Sequence, residues 1–233
     1  MRRSILVVKC GSADRNVVAK LGDYESWFIR SLGGDPSNFT VIAPYQGEPL
    51  PDPTRYAAVI ATGSTSSVTE RRPWMAGAAE YLLKAGEKKV PVLGVCFGHQ
   101  LICEALGAPA QRNPKGREFG TVEIELTEDG VRDPLFAGIP QRFKAQQSHE
   151  DEASALPAGA RLLAKNDHCA VQAMAWGDWV RGVQFHPELS TDAVRAVAES
   201  RRIPPASFKV EDAPGGRAVL RNFQERYVAP RAG

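Results

Sequence analysis

The sequence predicts an α/β fold: a parallel sheet covered by helices on both faces, with antiparallel strands appended to it. Three observations predict it. Short continuous apolar runs alternate with helical patterns through the first half. The second half turns to apolar/polar alternation and a hairpin signal. Composition, 43% hydrophobic and 24% charged residues over 233, suits a well-filled soluble globule rather than a disordered chain.

In chain order, "SILVVK" (Ser4 to Lys9) reads as the first strand. "DYESWFIRSLGG" reads as a helix stopped by Gly33 and Gly34. "FTVIAP" and "AAVIAT" follow as strands, and the stretch after Pro73 to "KAGEKK" is helical. "VPVLGVC" is the next strand. In "GREFGTVEIELTEDG" the alternation of Val122, Ile124 and Leu126 marks a half-exposed strand. "HCAVQAMAWGDWVRGVQFHPE" reads as a hairpin with Gly177-Asp178 as its turn, flanked by Trp176 and Trp179. "STDAVRAVAESRR" is a helix capped by Ser190 or Thr191. "IPPASFKVEDAPGG" is a connection, and "RAVLRNFQERYV" a final amphipathic helix. Residues 1–233 read as one domain, with 203–233 as a C-terminal extension.

Several function classes drop out. With 29 basic residues against 27 acidic ones the net charge is +2, which gives no reason to expect nucleic acid or an anionic membrane as partner. No apolar run approaches the roughly 18 residues of a membrane span, and Ile5 to Val8 is too short for a signal core of about 7 to 15. A cytoplasmic location is the default expectation. Cys10, Cys96, Cys103 and Cys169 lack the close pairing of a disulfide framework, so free thiols are expected. Cys96, His99 and Cys103 are close enough in sequence to suggest a metal, but no Cys-x-x-Cys pair accompanies them and none is expected.

Two segments carry chemistry. In "GVCFGHQ" Cys96 follows an apolar strand, and Gly94 and Gly98 flank it where a Cβ would crowd a sharp turn into a helix. That elbow lifts a nucleophile clear of a sheet, and a helix N-terminus favours a thiolate. In "GVQFHPELS" His186 ends a strand, with Glu188 two residues on. A thiol nucleophile needs an imidazole to move its proton, and the imidazole needs an acceptor to hold its tautomer. Residues i and i+2 leave the same side of an extended segment, so Glu188 can support the ring that faces Cys96. His99 reads as a supporting or surface residue, His168 as a turn residue, and the tryptophans as core or rim packing. "ERR" (70–72) and "SRR" (200–202) read as solvated faces.

Together, "GVCFGHQ" and "VQFHPE", in that order, resemble the class I glutamine amidotransferase family, especially its free-standing members similar to the glutaminase domain of GMP synthetase. The likeness runs from about Ser4 to Ser200. It implies an open, mixed, mostly parallel sheet flanked by helices. It also implies a Cys-His-Glu triad that hydrolyses the side-chain amide of glutamine through a γ-glutamyl thioester, with no metal or organic cofactor. "VIATGSTSSV" is similar to the family's oxyanion loop, so Gly63 and Phe97 are expected to supply N–H groups. Ser64 and Thr65 stand where glycine and proline are usual, and strain is expected if Ser64 needs positive φ. "QQSHEDEA" resembles the family's Ser-His-Gly-Asp segment. That likeness assigns Ser148 and His149 backbone groups to the α-carboxylate, Asp151 to the α-ammonium and Gln100 to the substrate. Glu150 stands in place of the family glycine.

The substrate is therefore expected to be glutamine or another small γ-glutamyl compound. No phosphate-binding glycine loop occurs, and the stretch after Glu188 is short for an ATP-using synthetase domain. Either the ammonia passes to a separate synthetase subunit, or the chain is a γ-glutamyl peptide or conjugate hydrolase. A non-catalytic regulatory subunit is the third alternative, disfavoured because all three triad residues are present.

Overall fold

The computed structural model describes residues 3–228. The strands are β1 (Ile5–Val8), β2 (Phe39–Ile42), β3 (Ala58–Ala61), β4 (Val92–Val95), β5 (Ala110–Arg112), β6 (Glu118–Leu126), β7 (Arg142–His149), β8 (Asp151–Ala153), β9 (Ala160–Lys165), β10 (Ala173–Trp176) and β11 (Val180–Val183). The helices are α1 (Arg15–Leu21), α2 (Tyr24–Ser31), α3 (Pro73–Glu87), α4 (Phe97–Ala105), α5 (Glu128–Arg132), α6 (Thr191–Ser200) and α7 (Pro214–Phe223).

Nine strands form one mixed sheet in the order β2-β1-β3-β4-β11-β10-β9-β6-β7. Its core half, β2 through β4 and on to β11, is parallel. The remaining strands add on antiparallel, and β5 pairs with β8 in a separate ribbon.

Side-chain alternation divides the core strands between two layers. Ile60 and Leu93 face a cluster with Phe28 of α2 and Val219, Leu220 and Phe223 of α7. Val59, Ala61 and Val92 face the opposite cluster, with Leu82 of α3 and Leu101 and Ile102 of α4. Both layers are apolar, which is why β3 and β4 are continuous hydrophobic runs. A smaller cluster joins α1 to α6 through Val17, Trp27 and Val194.

The expected parallel core, hairpin and Ser190 cap are all present. The hairpin loop is longer than expected: Trp176 pairs with Val180, so Trp179 lies within the turn beside Gly177 and Asp178. The last helix starts at Pro214, inside the stretch expected to be a connection, because proline suits the first helical position. Strands β5, β7, β8 and β9 and helices α1 and α5 were not expected.

Candidate active site

Strands β3, β4 and β11 are parallel neighbours, so their carboxyl ends open on one edge of the sheet, the usual ligand crevice of such folds. Gly63 follows β3, Cys96 follows β4, and His186 lies three residues past Val183 of β11. Cys96 has φ 50° and ψ −102°, a conformation rarely tolerated by a side-chain-bearing residue. It persists because its surroundings admit no alternative. A Cβ on Gly94 would stand 2.6 Å from the Gly98 carbonyl oxygen, and one on Gly98 would stand 2.6 Å from that of Ala61. The two glycines thus let α4 start directly over the sheet. Phe97 is the first residue of α4, so its N–H has no intrahelical partner.

His186 is held from both sides. Its backbone N–H donates to the Gln146 carbonyl at 2.8 Å, and its Nδ1 lies 2.7 Å from Glu188 Oε1. Residues 187–188 form a turn, so the pair meets through that turn and not along the extended segment expected. Burial alone would push the imidazolium down. The Glu188 charge outweighs it, as do the Cys96 charge and hydrogen bonds to both, carrying the His186 pKa up to about 10. Gly63 packs on the ring, where a Cβ would stand 3.0 Å from His186 Cε1 and 3.2 Å from the buried Tyr24 ring.

The loop expected to supply an oxyanion donor is not strained at Ser64, whose φ is not positive. Instead the Ser64 hydroxyl accepts from the Ser66 N–H at 3.0 Å, and the Thr65 hydroxyl donates to the Ser12 carbonyl at 3.1 Å. These bonds hold the loop in place of the usual glycine and proline.

A cavity of about 470 Å³ opens at this edge, lined among others by Cys96, Phe97, Gln100, Ser148, His149 and Asp151. Gly63, His186 and Glu188 lie outside its lining. Ser148 and His149 end β7, an edge strand that pairs with β6 on one side and is bridged at Gln146 to His186 on the other. The Ser67 hydroxyl donates to the Asp151 carboxylate, and Gln100 Nε2 donates to the Asp151 carbonyl at 2.7 Å. His149 reaches that same carbonyl through Nδ1 at 2.9 Å and Glu118 through Nε2 at 2.8 Å. Burial pushes the Glu118 carboxyl up, but the His149 and Asn166 contacts hold it below its ordinary value.

Two expectations need correction. Of the two readings of His99, supporting or surface, the surface one fails: the ring is fully buried and fills the space over Gly182, where a Cβ would stand 2.4 Å from its Nδ1, and burial pushes its pKa down to about 4. Arg201 is not part of a solvated face but lines the cavity, bonded to Asp14 and Ser148. The hydroxyl and amide residues around Asp151 also include Ser67, to which the motifs assign no role. For Glu118, Asp14 and Arg201 no local signal existed, because each meets its partner only through the fold. Ser67 had one: it opens a capping box with Glu70, a recognisable helix-start pattern.

Among known proteins, the glutamine amidotransferase class-I family profile matches residues 42–197. One subunit of a glutamine-hydrolyzing GMP synthase from Saccharolobus solfataricus is 34% identical over 171 residues, 72% of this chain and 85% of that protein. Its counterpart in Thermococcus kodakarensis is 41% identical over 105 residues, 45% of this chain, and the match spans only 54% of that relative's length. Gamma-glutamyl peptidase 5 of Arabidopsis thaliana is 28% identical over 187 residues, 78% of this chain and 74% of that protein. In fold, a glutamine amidotransferase of Thermotoga maritima superposes with a TM-score of 0.75 at 21% identity, covering 98% of this chain and 100% of the other. With an elbow cysteine, a strand-end histidine and a family match across most of its length, the chain belongs to the class I glutamine amidotransferases.

Proposed function

We propose that this amidotransferase hydrolyses the side-chain amide of glutamine with Cys96 as nucleophile, His186 as acid and base, and Glu188 as the acceptor that holds the imidazole. The observation that carries the reading is the placement of His186, bonded to Glu188 at 2.7 Å and within electrostatic reach of Cys96 across the ends of two neighbouring strands.

The Cys96 thiolate attacks the γ-carboxamide carbon, and the carbonyl oxygen becomes an oxyanion that accepts from the Gly63 and Phe97 N–H groups. Each such donor is worth about 2.7–4 kcal/mol in the barrier. The His186 imidazolium gives its proton to the departing nitrogen, ammonia leaves, and a γ-glutamyl thioester remains on Cys96. His186, now neutral, takes a proton from water. The hydroxide adds to the thioester carbon, the thiolate leaves, and glutamate is released. Throughout, Glu188 accepts from Nδ1–H and stabilises each imidazolium. Asp151 takes the substrate ammonium, and Gln100, Ser148 and His149 complete the amino-acid grip.

The relatives named as GMP synthase subunits support transfer of the ammonia to a separate synthetase partner. A second reading, hydrolysis of γ-glutamyl peptides by the same groups, is supported by the peptidase relative and by Glu150, which replaces the usual glycine at the rim. The test is the purified chain against glutamine and a panel of γ-glutamyl dipeptides. Slow glutamine turnover that rises when a synthetase partner is added supports the first reading. Strong unaided peptide cleavage with negligible glutamine turnover supports the second, and turnover of neither class contradicts both.

A further inference from the structure

The family profile ends at residue 197, and acyl transfer gives the chain beyond it no task. Its path is nevertheless fixed on strands β6 and β7. The Lys209 carbonyl accepts from the Thr121 N–H at 2.7 Å. Gly120, at φ 92°, leaves room for that approach, since a Cβ there would stand 2.4 Å from the Lys209 carbonyl oxygen. Beside it, the Phe208 ring meets Phe119 edge-on, with centroids 5.0 Å apart.

Two residues further on, the main chain of Glu211 closes a ring of hydrogen bonds. Its N–H donates to the Thr121 hydroxyl at 2.8 Å, and that hydroxyl donates to Gln146 Oε1 at 3.0 Å. Gln146 Nε2 then donates back to the Glu211 carbonyl at 2.9 Å. Thr121 and Gln146 are Cα partners in the β6–β7 pairing, so the ring ties the C-terminal segment to both strands at one rung. Gln146 is buried, and a buried amide is costly to leave unmatched, so the ring fixes it at both ends.

The main chain of that same residue serves the candidate site. The Gln146 carbonyl accepts from the His186 N–H at 2.8 Å, in a bridge outside the regular strand pairing. Gln146 thus joins Glu211 through its side chain to His186 through its backbone. Helix α7 presses on the same strand. A Cβ on Gly215 would stand 2.8 Å from Phe143 Cβ, and the Phe143 ring lies 5.8 Å from that of Phe185, the residue before His186.

We propose that residues 208–212 are a strap that positions His186, with Gln146 as the positioning residue between them. This rests on the reading of His186 as acid and base. With the ring intact, β7 holds the His186 backbone where its imidazole can serve the thiol and the leaving nitrogen. With the ring broken, the imidazole drifts, and a misplacement of about 1 Å costs on the order of a hundredfold in rate.

The test pairs kinetics with a readout that needs no turnover. In protein labelled with ¹⁵N-histidine, the low-field resonance of His186 Nδ1–H, bonded to Glu188, is assigned by its loss in His186→Gln. Gln146→Met should lower kcat for ammonia release about ten- to hundredfold with KM little changed. It should also shift or broaden the His186 resonance while leaving that of His99 in place. Thr121→Val should act in the same direction, and it carries the test if Gln146→Met does not fold. Thr121→Ser, which keeps the hydroxyl, should match wild type in both readouts. An unchanged His186 resonance in the folded variants, an equal loss in Thr121→Ser, a rise in KM at intact kcat, or no such resonance in wild type overturns the proposal. No ammonia release from wild type with the resonance differences present would instead contradict the catalytic reading and leave the strap's hold on His186 standing.

Discussion

Val95 of β4 and Val183 of β11 are Cα partners in parallel register. The residue after Val95 is Cys96, and the chain beyond Val183 returns within three residues to place His186 against it. Two motifs far apart in sequence therefore share one edge because two buried strands pair side by side. Glu188 adds the outer support. Glu188→Gln keeps the shape but no longer stabilises an imidazolium, so kcat for amide hydrolysis should fall by up to about 10⁴-fold with little change in KM. Steady-state ammonia release checks this. A large rise in KM at unchanged kcat would point to substrate binding instead.

The same arrangement makes stability depend on alkaline pH. The folded chain holds the His186 proton more tightly than the unfolded one, with a pKa near 10 against an ordinary value of 6.5. The stability this group contributes is complete below about pH 6.5 and is lost as pH rises through about 10. The Tm difference between wild type and His186→Gln should narrow over that interval. A difference that stays constant or widens contradicts the account.

Two glycines give opposite predictions. Gly98→Ala places a Cβ 2.6 Å from the Ala61 carbonyl oxygen, against backbone that cannot yield. It should cost about 1–3 kcal/mol and displace α4 with Cys96, lowering activity as well. Gly77→Ala lies within α3, where a Cβ meets nothing within 4 Å, and should stabilise by about 0.5–1 kcal/mol without touching activity. Urea midpoints and ammonia release on both variants provide the comparison.

Glu118 holds His149, one of the residues proposed to grip the amino-acid end of the substrate. Its carboxylate meets His149 at 2.8 Å, Asn166 at 2.6 Å and Gln172 at 2.8 Å. Glu118→Ala leaves these partners unmatched and should cost about 3–5 kcal/mol. Because the carboxyl is held below its ordinary value, that stabilisation is present above about pH 4.5 and drains as pH falls. Denaturation of wild type and variant should therefore converge in acid.

The residues of the proposed site were legible where the pattern was local. Cys96 sits inside a strand-glycine-helix pattern, and His186 and Glu188 are two residues apart, so a short window held each part. The parallel core was legible because strands buried on both faces are uniformly apolar. What stayed hidden depends on distant or polar partners. Strand β7 buries Gln146 and Gln147, and Gln147 Nε2 donates to the buried Gln172 at 2.7 Å, so its pattern looks solvated in the sequence. Helix α1 has Asp14 at its N-cap, but that carboxylate accepts from Arg201 and makes no cap bond, and the seven-residue helix buries only Val17, too little for a helical apolar pattern. Arg201 itself was indistinguishable from a surface basic residue until the fold placed Asp14 beside it.

The measurement closest to the central claim is rapid acid quench of the enzyme during glutamine turnover, followed by peptide mass analysis. The account predicts one glutamyl group on the peptide that contains Cys96, none in Cys96→Ala, and no ammonia release from that folded variant. Ammonia release at wild-type rate from Cys96→Ala, or a glutamyl group carried on a different side chain, would contradict it.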